Sequence, residues 1–340
     1  MTLRPRETFV IARGSWTEFS RVLVEIRHGG RVGRGEAAPS ERYGEDGASV
    51  ARALQRIAPV LGESPLDLDG ILARARRLAP GDGAARAALD MALHDLVAQE
   101  MGIPVYRLFG LAGPEVPEPT SYTIAMGTPA EMEARARQAR DFPVLKVKVG
   151  WAGDVAFLRR LRTTTGQRIR VDANEGWTAA EAIDRVAELH ASAQVELVEQ
   201  PCPAGDLDGL ARVTEASPVP ILADESCVRL VDVPRLAGAV HGINVKLAKC
   251  GGLREAWHMI RLAREYDMRV MLGCMVESSL GITAAAHLGA AADYLDLDGN
   301  LLLAQDPFRG VVTQGGRLRL PDAAGIGAVP VSGAGAAGGE

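Results

Sequence analysis

The stretch VLKVKVG, residues 144–150, reads as a short apolar strand whose carboxyl end carries a charge, Lys148. Seven other stretches are short apolar runs of the same kind, YTIAMG (122–127), IRVDANE (169–175), ELVEQP (196–201), ILADES (221–226), INVKLAK (243–249), RVMLGCM (269–275) and YLDLDG (294–299), and all but YTIAMG and RVMLGCM also end in charge. Helix-periodic segments such as PAEMEARARQAR, AAEAIDRVAELH and LREAWHMIRLAREY lie between them. Eight βα repeats in about 200 residues are the count and size of a (β/α)8 barrel. The rival, a doubly wound open sheet, lacks support because no GxGxxG-type turn follows any of these strands.

Outward from the repeats the texture changes. From Ser20, SRVLVEIRHGGRVGRGEA predicts two strands joined by a glycine turn, and GASVARALQRIAPVL through GAARAALDMALHDLVAQEM has helical periodicity. LAGPEVPEPTSY, with Pro114, Pro117 and Pro119, is a connector. The expected plan is therefore α/β. An α+β capping domain occupies residues 1–112 and a modified (β/α)8 TIM barrel residues 113–312. A C-terminal segment, residues 313–340, rejoins the cap and ends in a low-complexity, mobile SGAGAAGGE.

Composition narrows the class. Hydrophobic residues at 47% and charged residues at 24% are ordinary for a globular protein, and a net charge of −5 carries no footprint for nucleic acid or a membrane surface. No apolar run is long enough for a signal peptide or a spanning helix, and Cys202, Cys227, Cys250 and Cys274 have no metal-type spacing. A cytoplasmic enzyme with free thiols is expected, with no nucleic-acid or membrane partner.

In such barrels chemistry comes from the carboxyl ends of the strands. Lys148, Asp172, Glu199, Asp224 and Lys246 close five successive strands, 24, 27, 25 and 22 residues apart, and Asp296 and Asp298 close the last. Three carboxylates from neighbouring strands suit a hard cation, Mg2+ above all, whereas the six histidines fall in turns or helices and offer no zinc site. The alternative is that Asp172, Glu199 and Asp224 cap the following helices.

Only four of the 38 basic residues are lysine, and all four sit at two strand ends: Lys146, Lys148, Lys246 and Lys249. Guanidinium cannot shed a proton, so lysine is required where a base must. Lys148 and Lys246, on opposite sides of the metal, would be two bases for the two faces of one carbon. Lys146, on the same face as Lys148, would lower its neighbour's pKa and neutralise a substrate carboxylate. Chance survival of four lysines is the alternative. Asp296 and Asp298 also share a face, which suits an ammonium group or, equally, an Asp–Gly strand-end turn.

Together KVKVG, VDANEGW, VEQP, ADESC, NVKLAKCGG, GCMVESSLGI and DLDG, in this order from about residue 5 to residue 325, resemble the enolase superfamily. The likeness is to its muconate-lactonizing subgroup, and within it to dipeptide epimerases of the L-Ala-D/L-Glu type. The resemblance implies one Mg2+ per subunit on Asp172, Glu199 and Asp224, with Lys148 and Lys246 as acid/base catalysts. It places Lys146 on the substrate carboxylate, Thr123 and Cys274, Met275 and Val276 along the substrate, and Asp296 and Asp298 on the dipeptide's α-ammonium. Specificity would come from the loops IARGSWTEF and APSERYGEDGAS, with Arg13 on a glutamate side chain or, alternatively, a solvated loop arginine. The implied reaction is a two-lysine 1,1-proton transfer through an ene-diolate, on a murein-derived Ala–Glu dipeptide, in a homo-oligomer. The nearest rivals are N-succinylamino acid racemase, o-succinylbenzoate synthase and an epimerase of other side-chain specificity; muconate cycloisomerisation is more distant, and a barrel that binds without turnover is a different class.

Overall fold

The computed structural model describes residues 1–62, 64–65 and 67–331. The SGAGAAGGE tail, residues 332–340, lies outside the described residues. At the amino-terminal end, β1 (Val22–His28) pairs antiparallel with β2 (Arg31–Ala37) in unbroken register from Val22↔Ala37 to His28↔Arg31. Gly29 and Gly30 make the turn, both at positive φ (54° and 78°), the backbone a two-residue hairpin demands. His28 thus closes a strand, against the expectation of a turn, but in the cap and far in sequence from the barrel rim.

Three helices follow: α1 (Gly47–Ile57), α2 (Leu68–Leu78) and α3 (Gly83–Met101). α3 is buried on all sides from Gly83 to Ala98. It lies against β2 on one side, where a Cβ on Gly35 would stand 1.9 Å from the Ala88 carbonyl oxygen. On the other side it reaches the barrel, where Asp90 accepts Leu253 N at 2.6 Å. Apolar burial drives both contacts, in a cap core and a barrel core of separate membership.

The barrel strands are β3 (Tyr122–Ile124), β4 (Val144–Lys148), β5 (Arg168–Asp172), β6 (Leu197–Glu199), β7 (Ile221–Ala223), β8 (Gly242–Lys246), β9 (Arg269–Gly273) and β10 (Tyr294–Asp296). They form one parallel sheet in sequential order. A parallel bridge between Thr120 and Leu295, with Ser121 N donating to Leu295 O at 3.1 Å, joins its two edges. Helices alternate with the strands, α4 (Pro129–Gln138), α5 (Asp154–Arg162), α6 (Ala179–Ala193), α7 (Leu207–Ala216), α8 (Leu253–Glu265) and α9 (Ser279–Ala286), although only short turns of helix separate β7 from β8.

Strand alternation sorts the side chains. Leu145, Val147, Ile169, Val171, Val198, Ile243 and Val245 face the helices in the main core. The other parity points inward, where Leu197, Leu222, Met271 and Tyr294 form a small plug, with the Arg170 guanidinium 4.9 Å from the Tyr294 ring centroid. Above that plug the same inward parity carries charge. The chain beyond β10 forms a hairpin, Val312–Gln314 with Arg317–Arg319, and then meets α3, where Ile326 N donates to Asp95 at 2.7 Å.

Candidate active site

Five of the strand-end charges lie as the spacing requires: Lys148, Asp172, Glu199 and Lys246 end β4, β5, β6 and β8, and Asp224 stands one residue past β7. All five are buried, and with Lys146 and Asp296 they form the floor beneath the cap. The helix-cap alternative fails here. The helices that follow Asp172 and Glu199, α6 and α7, are capped by Thr178 and Asp206, and the short helical turns after Asp224 by Arg229 and Asp232, so none of the three acids is spent on a helix end.

Each acid has one oxygen turned to a lysine at the cavity and the other held by a second donor, which for Asp224 is Lys249. Asp172 Oδ1 accepts Asn174 N at 3.0 Å, while Oδ2 lies 2.6 Å from Lys148 Nζ and 3.1 Å from Lys146 Nζ. Glu199 Oε1 accepts Asn244 Nδ2 at 2.8 Å; its Oε2 lies 2.6 Å from Lys146 Nζ but without hydrogen-bond alignment, a buried oxygen lacking a directed donor. Asp224 Oδ1 accepts Lys249, and Oδ2 accepts Lys246 Nζ at 2.8 Å. Among the described residues no three His, Cys, Asp or Glu side chains are gathered as a ready metal cage, because the inner oxygens face ammonium groups instead. The donor set still fits a hard cation: all oxygen, all anionic, on three adjacent strands, with the outer oxygens already held.

The charges answer one another. Burial alone would push Asp172 and Asp224 up, but Lys148 and Lys146 hold the first below the usual carboxylate range, and Lys246 and Lys249 hold the second well below it. Glu199 goes the other way, to about 8, because burial and the Asp172 charge outweigh Lys146. A lowered lysine pKa was expected from the sequence. The structure reverses this for Lys246, which burial lowers but Asp224 and Glu199 raise; against the same effect of burial, Asp296 and Glu199 raise Lys146, expected to stay charged. Carboxylates in contact outweigh a neighbouring ammonium.

Lys146 also reaches Asp296 Oδ2 at 2.6 Å, a pair the sequence does not reveal. Asp296 accepts Ser121 Oγ at 2.7 Å as well, and Asp298 accepts Thr123 N at 2.6 Å and Thr123 Oγ1 at 3.3 Å, so strands β3 and β10 are tied at the mouth. Burial and the Asp296 charge raise Asp298 to about 7. Cys274 Sγ contacts Asp296 O at 3.2 Å, and burial beside both aspartates keeps it a thiol. Lys249 differs from the other lysines: it donates to Asp224 O at 2.7 Å and to Cys227 O and Asn244 O, each at 3.1 Å. Arginine is excluded there by shape, since a compact ammonium fills a cage that a planar fork would not.

Over this floor lies a cavity of about 510 Å3, walled by Lys146, Lys148, Asp224, Lys246, Asp296 and Asp298, and also by Thr123, Arg13 and Cys274 to Val276. Asp172 and Glu199 lie beneath it and are fully buried. The cap contributes Phe9, Ile11, Trp16, Phe19 and Tyr43. Arg13 is no solvated loop arginine. Its Nη1 donates to Glu225 Oε1 at 2.5 Å, Asn174 O at 3.1 Å and Glu175 Oε2 at 3.2 Å. Glu225, Glu175, Asn174 and Arg42 were missed from the sequence; the signal available was that all but Arg42 sit in VDANEGW and ADESC, just past a strand end.

The comparisons fit this geometry. Residues 1–110 match the model of the mandelate racemase / muconate lactonizing enzyme N-terminal domain, and residues 130–332 that of the enolase C-terminal domain-like family. The chain is 42% identical over 331 residues to a Bacteroides thetaiotaomicron protein named L-Ala-D/L-Glu epimerase, covering 97% of this chain and 86% of the relative. It superimposes with a TM-score of 0.93, at 33% identity, on the substrate-liganded L-Ala-D/L-Glu epimerase from Bacillus subtilis, covering 97% of this chain and 96% of the other. For the dipeptide epimerase from Enterococcus faecalis complexed with Mg and L-Leu-L-Tyr the TM-score is 0.92 and the identity 35%, over 96% and 97% of the two chains.

Proposed function

The chain belongs to the mandelate racemase / muconate lactonizing enzyme family, and on that premise we propose that it is a dipeptide epimerase that uses Mg2+. The observation that carries the reading is the placing of the two lysines. β4 and β8 are the second and sixth of eight strands, half way round the barrel from each other, so Lys148 and Lys246 reach the cavity from opposite sides. A carbon held between them presents one face to each amine.

Asp172, Glu199 and Asp224 would hold the metal. When bound, Mg2+ supplies positive charge against the substrate carboxylate as the α-proton leaves. One lysine takes that proton, leaving an ene-diolate, and the other returns a proton to the opposite face. Lys146, fully buried and pinned by Asp296, is a fixed cation beside the same carboxylate. Thr123 and the Cys274–Val276 segment line the substrate.

Asp296 and Asp298 support a substrate with a free α-ammonium. Two buried acids at that end would oppose the second carboxylate of an N-succinylated amino acid, so the racemase and synthase rivals fit less well. Arg13 supports an acidic second residue: its three acceptors crowd on Nη1, and among the described residues Nε and Nη2 have no protein partner. The substrate reading is L-Ala-D/L-Glu, of the kind murein peptides supply. Four free cysteines and the lack, among the described residues, of any helix long and apolar enough to cross a membrane are in keeping with a cytoplasmic site of action. Self-association is carried over from the resemblance alone.

The test is incubation with Mg2+ and L-Ala-L-Glu in D2O, followed by NMR at the α-proton of the second residue. Exchange with inversion is expected. Exchange of N-acyl substrates alone would establish the rival, and no exchange with either would mean a binding protein. Arg13→Ala should lose L-Ala-L-Glu turnover; normal turnover removes that role.

A further inference from the structure

VDANEGW holds an acid that the chemistry above leaves unused, Glu175. Asn174 and Glu175 both have positive φ, 45° and 70°, a conformation that side-chain-bearing residues rarely adopt. This double left-handed step, closed by Gly176 N donating to Ala173 O at 2.8 Å and by Glu175 N donating to Gln200 O at 2.9 Å, turns the Glu175 side chain up from the barrel rim toward the cap. There it receives both cap loops. Arg42, from the segment 38–46 between β2 and α1, makes a two-pronged pair, Nε to Oε2 and Nη2 to Oε1, both at 2.8 Å. Arg13, from the loop 11–19, reaches Oε2 at 3.2 Å. Ala204 N, on the next barrel loop, donates to Oε1 at 2.8 Å and fixes the carboxylate from below.

We propose that Glu175 is a positioning residue: it fastens the two cap loops across the mouth of the cavity and aims Arg13, without touching the reacting atoms. The proposal deepens the epimerase reading above and rests on it for its kinetic part. Its geometric part stands alone. One carboxylate, 12% exposed at its side chain, is the point where both loops meet the barrel. Strained backbone at that point is held by hydrogen bonds on either side, as expected of a feature that places a side chain. Loosening it should weaken capture of the dipeptide and leave the proton transfer nearly alone, because Lys148 and Lys246 rest on Asp172 and Asp224, not on Glu175.

Two measurements decide it, on wild type, Glu175→Gln and Arg42→Gln. In amide hydrogen exchange, Glu175→Gln should deprotect both the 8–20 and the 38–46 segments, and Arg42→Gln the 38–46 segment only. In L-Ala-L-Glu epimerisation with Mg2+, Glu175→Gln should raise KM about tenfold and change kcat by less than about twofold. Unchanged exchange in both loops, or a fall in kcat at constant KM, overturns the proposal. Should Glu175→Gln fail to fold, Arg42→Gln, whose side chain is 40% exposed, still decides through its own loop. Should wild type turn over no dipeptide, the epimerase reading falls, and the exchange measurement alone upholds or overturns the fastening.

Discussion

The proposed action of Lys148 and Lys246 from opposite sides of one carbon has a stereochemical consequence. Lys246→Arg keeps the cation but not the removable proton. Inversion should fall by about 10²–10⁴-fold, while one epimer of the dipeptide still exchanges its α-proton for deuterium with retention, through Lys148. Lys148→Arg should show the mirror behaviour with the other epimer. Exchange of both epimers in either variant would rule out the two-sided arrangement. Glu45 makes a pH prediction. Burial raises it to about 7, against the hydrogen bond from Ala84 N at 3.0 Å, from an ordinary value of 4.5. Between those two values the folded chain binds more protons than the unfolded one, so stability falls as pH rises from about 4.5 to 7 and levels off above. Glu45→Gln keeps an acceptor for Ala84 and removes that slope. Urea titrations should show the variant gaining on wild type across this window, by on the order of 2 kcal/mol at pH 8. Parallel stability profiles would refute it.

At the scale of elements, the junction of β2 with α3 is the tightest in the cap. A methyl on Gly35 would overlap the Ala88 carbonyl, a backbone atom that no rotamer change can move. Gly35→Ala should therefore cost about 2–4 kcal/mol in unfolding free energy, read by denaturant titration. A cost under about 0.5 kcal/mol would mean that strand and helix separate easily. Periodicity located these elements well. Each barrel strand was legible as a short apolar run, and all but β3 and β9 as one ending in charge, because a parallel strand is covered on its outer face and must deliver its inner polar residues at the rim. The break between β7 and β8 was harder to read: LVDVPRL forms only a short helical turn, with its proline in the first turn, and no amphipathic stripe marks it.

The whole molecule predicts how metal removal divides fold from activity. Asp172, Glu199 and Asp224 each have an ammonium partner within the chain, so the fold should hold without a bound ion. Stripping Mg2+ with EDTA should abolish α-proton exchange and leave the circular dichroism spectrum unchanged, with activity restored by added Mg2+. Turnover persisting in excess chelator would contradict the metal's place in the reaction. Loss of the spectrum would mean that the lysine pairs do not suffice to hold the rim. Added Mg2+ should in turn raise Tm, since it binds the folded chain alone.

From the sequence alone came the barrel, its strand order and the identity of the rim charges, because period-two burial and a repeat of about 25 residues are local properties of the chain. The pairings came only from the tertiary structure. Lys146 lies on Asp296, Arg13 on Glu225, and Glu175 on Arg42, partners separated by 150, 212 and 133 residues. Against burial, the raised pKa of Lys146 follows from its pairing with Asp296, and that of Lys246 from Asp224. Coulomb interactions depend on distance in space, and no spacing along a chain encodes which of several buried carboxylates comes within 3 Å of a given amine.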